Sequence, residues 1–235
     1  MNKNNNKNNN NNKKNKKEPS LLSQGSYGCI YRPGFNCDGS ITNSVKYITK
    51  IQKQDETSHS ENEIGEKVKN IKNAGQYYAP VIKSCNVSLA KIDGDELEKC
   101  DFIKNERLES YETNKIRYVG KNTFGKELLE LYKKRPTQII KTLLHNYRRL
   151  LLGFDKLNKA GIIHYDIKDN NIMCDDKTKN PIIIDFGLSI DVNKIDEDDY
   201  SKAFYVYGPE YMPWCIDIVF LSYYSRELTA ETETV

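Results

Sequence analysis

The segment His164-Tyr165-Asp166-Ile167-Lys168-Asp169-Asn170-Asn171, followed fourteen residues after Asn171 by Asp185-Phe186-Gly187, decides how the rest of the sequence is read. Ile162 and Ile163 stand before the first group, and Ile182, Ile183 and Ile184 before the second. Short β-branched runs of this kind read as strands broken by turns. Upstream lies the most regular helical pattern, opening after Pro136. Ile140, Leu143, Leu144, Tyr147, Leu151, Phe154 and Leu157 form one apolar stripe, and Gly161 is placed as its C-terminal stop.

The amino-terminal half is patterned differently. Leu21 and Leu22 lead into a glycine-rich turn, and Cys29, Ile30 and Tyr31 resume an extended segment. Ser44 to Thr49 reads as a strand with Val45 and Tyr47 on one face and Lys46 and Ile48 on the other. A helix is expected from Glu61 to about Asn70, since Ile64, Val68 and Ile71 have helical spacing, although Gly65 costs about 1 kcal/mol of propensity. Ser58 with Glu61, or Ser60 with Glu63, would form its capping box. Further strands are expected between Tyr78 and Ile92, then a charged excursion from Asp93 to Tyr111. Lys115 to Gly120 reads as an extended connection to the helical half.

The 164–171 and 185–187 segments resemble the catalytic loop and the metal-binding Asp-Phe-Gly segment of the protein kinase family. That resemblance implies roles for each residue. Asp166 would accept or orient the proton of a substrate hydroxyl. Asn171 and Asp185 would supply oxygen ligands to phosphate-bound magnesium. Lys168 would offset charge at the transferred phosphoryl group, and its place two residues after Asp166 resembles the serine/threonine branch. His164 is read as an internal hydrogen-bonding support.

The upstream half is similar to the same family. Leu22-Ser23-Gln24-Gly25-Ser26-Tyr27-Gly28-Cys29-Ile30 resembles the glycine loop that covers the nucleotide, with Ser23 at the family's first glycine position and Gly25 and Gly28 at the other two. Lys46, eighteen residues after Gly28, matches the strand position of the phosphate-contacting lysine, and Glu63 best resembles its helix partner, with Glu61 and Glu66 as competitors. The implied nucleotide-binding residues are thus Ser23, Gly25, Gly28, Ile30 and Lys46. The implied catalytic set is Asp166, Lys168, Lys46 and Glu63, and the metal pair is Asn171 and Asp185. Gly208-Pro209-Glu210 resembles the motif that closes the activation segment, and Asp217 matches the aspartate that braces the catalytic loop.

Two departures qualify the resemblance. Tyr165 replaces the arginine that would pair with a phosphorylated activation segment, so its charge-locking switch is missing, although Tyr200, Ser201, Tyr205 and Tyr207 offer hydroxyls. Only 25 residues follow Glu210, which implies an abbreviated helical lobe.

Composition narrows the remaining classes. The 235-residue chain has a net charge of +3, but Met1 to Lys17 holds six lysines and no acid, so the remainder carries −3. A body of that charge does not track a nucleic-acid backbone; weak contact through the basic tail is the exception. Ten of those seventeen residues are Asn, a disorder-prone composition. No apolar stretch is long enough to cross a bilayer. The six cysteines form no C-x-x-C pair, which argues against structural zinc, and reduced intracellular thiols are expected.

The sequence therefore implies an α+β bilobal protein-kinase-like fold: a tail over 1–19, a small β-rich lobe over 20–120 and a partial helical lobe over 121–235. The expected activity is transfer of phosphate from ATP, with Mg2+ or Mn2+, to serine or threonine of a protein substrate. The alternatives are a catalytically weak or inactive kinase-like nucleotide- or protein-binding module, and a small-molecule kinase. The Asn/Lys-rich leader, Tyr165 and Gly208-Pro209-Glu210-Tyr211 also resemble kinases of large DNA viruses, which implies a host cytoplasmic or virion location. The sequence assigns no oligomeric state.

Overall fold

A computed structural model describes residues 19–25, 28–89, 92, 97–106, 110–195 and 220. Most of the tail, Ser26, Tyr27, Gly208 to Glu210, Asp217 and the four activation-segment hydroxyls lie outside the described residues. The amino-terminal half is a five-stranded antiparallel sheet in the order β1-β2-β3-β5-β4. Its strands are β1 Leu21–Gly25, β2 Gly28–Tyr31, β3 Tyr47–Gln52, β4 Val81–Val87 and β5 Tyr111–Arg117. Helix α1, Glu56–Lys69, crosses between β3 and β4 and packs on β4.

Alternation explains the sheet. Cys29, Tyr31 and Ile51 point to one face and are fully buried with Phe35, Val87 and Tyr111. Onto this layer folds the β4–β5 excursion, which brings Leu97 and Cys100 into the same cluster and forms the short helix α2, Asp101–Glu106. Gln24 and Asp101 bind each other twice, through Gln24 Nε2 to the carboxylate and through the Asp101 amide to Gln24 Oε1.

Among the boundaries that differ from expectation, two bear on the cleft, while β5 begins at Tyr111 and not at Lys115. β3 begins at Tyr47, not Ser44, because the β2–β3 connection carries an extra loop closed by the Phe35–Ile41 bridge and a turn at Asn36, Asp38 and Ser40. α1 begins a turn and a half early, at Glu56. Its cap is Asp55, whose carboxylate accepts from the Ser58 amide while Ser58 Oγ accepts from the Asp55 amide. Ser58 is thus the third helical residue of a box capped by Asp55 and not the cap itself, and neither expected Ser–Glu box forms.

The carboxyl-terminal half is built on α3, Phe124–Lys134, and α4, Ile139–Lys159. β7 Ile172–Cys174 and β8 Pro181–Ile183 form a hairpin directly after the 164–171 segment, and β6 Ile162–Ile163, directly before it, pairs with β9 Ile190–Asp191. Leu157 joins Ile64, Val68, Tyr78, Ile162, Ile183 and Phe186 in a cluster that joins α1 to the helical half. The α4 stripe is used unevenly: Leu157 is buried and Phe154 partly so, whereas Ile140, Leu144, Tyr147 and Leu151 are exposed. No helix among the described residues is long and apolar enough to cross a membrane.

The thiols depart most from expectation. Cys29 is bonded to Cys100 and Cys37 to Cys85, closing separations of 71 and 48 residues. The first bond staples the β1–β2 hairpin to the β4–β5 excursion; the second ties the β2–β3 loop to β4. Cys174 is a buried free thiol, and burial pushes its pKa up to about 11. Loops of these lengths make each disulfide worth about 2–4 kcal/mol. Denaturant unfolding should show a dithiol reductant lowering the wild-type midpoint, and much less so in a Cys29→Ser/Cys100→Ser/Cys37→Ser/Cys85→Ser variant. An equal shift in both proteins would contradict the pairing.

Candidate active site

The sheet register places Ser23, Ile30, Lys50 and Asn114 in one row across β1, β2, β3 and β5. Laterally paired residues project from the same face, so this row looks toward α1 and the cleft below it. There Lys50 Nζ lies 3.0 and 3.2 Å from the two Glu61 carboxylate oxygens and 3.6 Å from Asp185 Oδ1. Burial alone would lower the Lys50 pKa. Glu61 first, then Asp185, outweigh it and hold the ammonium well above its ordinary value.

Glu61 is buried, and Gln52 Nε2 also donates to it at 3.1 Å. The same amide group reaches Glu112 of β5, which accepts from Ser58 Oγ and Asn62 Nδ2 of α1. Helix position explains the choice of glutamate. Glu61, Ile64, Gly65 and Val68 repeat at helical spacing and are all buried. Gly65 is part of this packing, since a Cβ there would stand 3.1 Å from the Val81 carbonyl.

The expected Lys46–Glu63 pair is therefore corrected to Lys50–Glu61. Lys46 is exposed and precedes β3, where its carbonyl accepts from the Tyr118 amide. Glu63 projects about 200° around the helix from Glu61 and pairs with Lys194 at the surface. The loop inserted before β3 shifts the strand lysine four residues later than its spacing from Gly28 implied. Glu61 shares the helical phase of Ile64 and Val68, which was the signal for the helix residue; Lys50 is marked in the sequence only by its place in the β-branched run Ile48-Thr49-Lys50-Ile51.

Ser23, Gly25 and Gly28 lie where the glycine-loop reading puts them, on the β1–β2 hairpin. Gly28 has φ +152°, and a Cβ would lie 2.1 Å from the Ile51 carbonyl oxygen, so only glycine lets β2 run this close to β3. Space is open around the corresponding atom at Gly25, and Ser23 is exposed.

In the catalytic-loop segment Asp166 is buried, and Asn171 Nδ2 donates to its carboxylate at 2.7 Å and to its carbonyl at 2.9 Å. Lys168 Nζ sits 2.9 Å from the same carboxylate. Asn171 thus uses its amide nitrogen on Asp166, which leaves its side-chain oxygen as the group suited to a cation. Nδ1 of His164 accepts from the Asp166 amide, so Nε2 carries the proton and donates to the Ile184 carbonyl at 3.0 Å. Burial lowers the His164 pKa, in keeping with a neutral structural ring and with the supporting role the sequence implied.

Asp169 contributes a role that the sequence reading did not assign. Its carboxylate accepts from Thr123 Oγ1 and from the Gly125 amide, each at 3.0 Å, and so anchors the loop to the first turn of α3. Thr123 also caps that helix. A Cβ on Gly125 would lie 2.3 Å from the Asp169 oxygen, which explains the glycine.

Asp185 has φ +61° and a side chain that opens to the cleft. Desolvation would raise its pKa, but Lys50, His164, the Gly187 amide and Lys168 together lower it below the carboxylate range. Phe186 turns the other way and is buried against Tyr78 and His164 with ring centroids 6.2 and 5.0 Å away. Tyr165 also adopts a left-handed backbone, φ +62°. Asp166, Lys168, Asn171, Asp185, Lys50 and Glu61 thus converge between the halves.

This arrangement is matched by comparison: residues 17–214 fit the protein kinase domain. The chain belongs to the protein kinase domain family. A striated muscle preferentially expressed protein kinase of Danio rerio is 35% identical over 106 residues, covering 44% of this chain and 3% of that protein.

No group of three or more His, Cys, Asp or Glu side chains converges on a metal site among the described residues. Magnesium carried on phosphates is typically held by one or two protein oxygens, with the remainder from phosphates and water. The side-chain oxygens of Asn171 and Asp185 are donors of that type. The geometry predicts that Lys50→Met weakens nucleotide binding or transfer and removes the counter-charge of buried Glu61, at a cost of about 3–5 kcal/mol in stability. Lys46→Met should be near neutral in both, by titration with ATP and by thermal unfolding. Equal effects from the two substitutions would contradict the assignment.

Proposed function

We propose that this kinase domain transfers the γ-phosphoryl group of ATP to serine or threonine hydroxyls of a protein substrate. The observation that carries the proposal is the joint placement of Asp166, Asn171 and Asp185 beside a lysine held by Glu61. A phosphoryl transfer needs an acceptor oriented in line, counter-charge for the phosphates and a metal between them. Each requirement has a residue of suitable type in the cleft.

Lys50 is positioned for the nucleotide phosphates, and Glu61 keeps its ammonium on the cleft side. Ser23, Gly25, Gly28 and Ile30 form the hairpin that covers them. Asn171 and Asp185 would hold Mg2+ (Mn2+ fits the same oxygen donors), which supplies charge neutralisation at the phosphates when bound. Asp166 orients the acceptor hydroxyl and takes its proton, with Asn171 and Lys168 fixing the carboxylate. Lys168 supports the serine/threonine reading, because it adds positive charge beside the base at the position that resembles that branch.

Radiolabelled transfer to a mixed protein panel with phosphoamino-acid analysis tests this directly. Label is expected on serine or threonine, and Asp166→Asn should retain ATP binding while losing about 10²–10⁴-fold in transfer. Label on tyrosine alone would overturn the specificity. Nucleotide binding with no transfer by folded protein would instead support a kinase-like binding module.

A further inference from the structure

Residues 61 to 67 of α1 do more than present Glu61. Glu63 and Lys67 are four apart and share a second face of the helix. Opposite them stands the turn that follows β9, with Asp191 and Lys194 three apart. The charges cross in register: Lys67 pairs with Asp191, and Glu63 pairs with Lys194. The two pairs differ in environment. Glu63 and Lys194 are both more than half exposed, so their pair contributes little beyond register. Asp191 is 7% exposed, and Lys67 Nζ binds its carboxylate.

Asp191 is itself firmly held. Its other carboxylate oxygen accepts from the Asn193 amide and from Asn193 Nδ2, each at 3.2 Å. The next amide, Val192, donates to the Gly161 carbonyl, and β9 pairs with β6 immediately before His164. Lys67 therefore grips a point joined by two short steps to the catalytic loop. Burial would raise the Asp191 pKa, but Lys67 and the Asn193 contacts lower it, so the acid stays charged in the pair. At its other end α1 is tied to β5 through Ser58 and Asn62 on Glu112. The helix is thus fastened to both halves, with Glu61 between the fastenings.

We propose that Lys67 and Asp191 are a positioning pair that holds α1 with Glu61 engaged on Lys50, so that the active arrangement is maintained by fixed charges without an activation-segment phosphate. Tyr165 fits this reading, because the residue before Asp166 offers no cation to such a phosphate. The inference rests on the phosphotransfer reading for its consequence, while the coupling between Lys67 and α1 is a property of the fold.

The test uses the full chain after phosphatase treatment, with Lys67→Met, Lys67→Arg, Asp191→Asn and the Lys67→Met/Asp191→Asn double variant. Asp191→Asn keeps an oxygen for the Asn193 amide while removing the charge. Two readouts are taken: amide hydrogen exchange across residues 61–69, and kcat with the KM for ATP. Lys67→Met and Asp191→Asn should each accelerate α1 exchange and lower kcat by roughly 5- to 30-fold, and the double variant should be no worse than either. Lys67→Arg should recover most of both. Unchanged α1 exchange in Lys67→Met, or losses that multiply in the double variant, would overturn the proposal. Absence of transfer in the untreated and treated wild type would defeat the phosphotransfer reading alone, since exchange still reports whether the pair holds the helix.

Discussion

One ammonium group organises the cleft. Lys50 stands between Glu61, carried by a helix, and Asp185, carried by the loop that follows β8. A buried carboxylate without a cation is costly, so Glu61 draws Lys50 inward, and the pair fixes α1 against the sheet. The third charge, Asp185, makes the arrangement an interlobe one. Whatever displaces α1 also releases Lys50 and changes the field at Asp185.

Packing reinforces the same geometry from beneath. Ile64 and Val68 of α1 share a cluster with Tyr78, Phe186 and Leu157, and Phe186 also meets the His164 ring. His164 in turn holds the Asp166 amide and the Ile184 carbonyl. The adjacent residues Asp185 and Phe186 thus divide two tasks, with the carboxylate turned to the polar cleft and the ring anchored in the core. The left-handed backbone at Asp185 permits that division, a conformation uncommon outside glycine and usually retained where surrounding contacts hold it.

The parts legible in the sequence were those whose chemistry lies within a short contiguous stretch. Asp166, Lys168, Asn171 and Asp185 are fixed relative to one another by a loop of few residues and two flanking strands, so spacing alone carries their relation. The bilobal α+β architecture was legible through the family resemblance that these motifs carry, and the strand patterning of the first half and the long helical stripe after Pro136 agree with it. Lys50 and Glu61 were harder to read because their pairing depends on strand register across an inserted loop and on helix phase; an offset of four residues in one and two in the other moved each assignment to a surface side chain. The disulfides were hidden for a related reason, since partners 71 and 48 residues apart are set by tertiary folding. Asp169 was unread because its partners, Thr123 and Gly125, lie more than forty residues away.

The central claim is that Lys50, rather than any neighbouring lysine, faces the nucleotide phosphates. An acyl-phosphate derivative of ATP, which acylates amines beside its phosphates, tests this by peptide mapping of the labelled residues. Lys50 should be modified, with labelling blocked by excess ATP, while Lys46 should show no ATP-protected modification. ATP-protected labelling of Lys46 with Lys50 untouched would contradict the account.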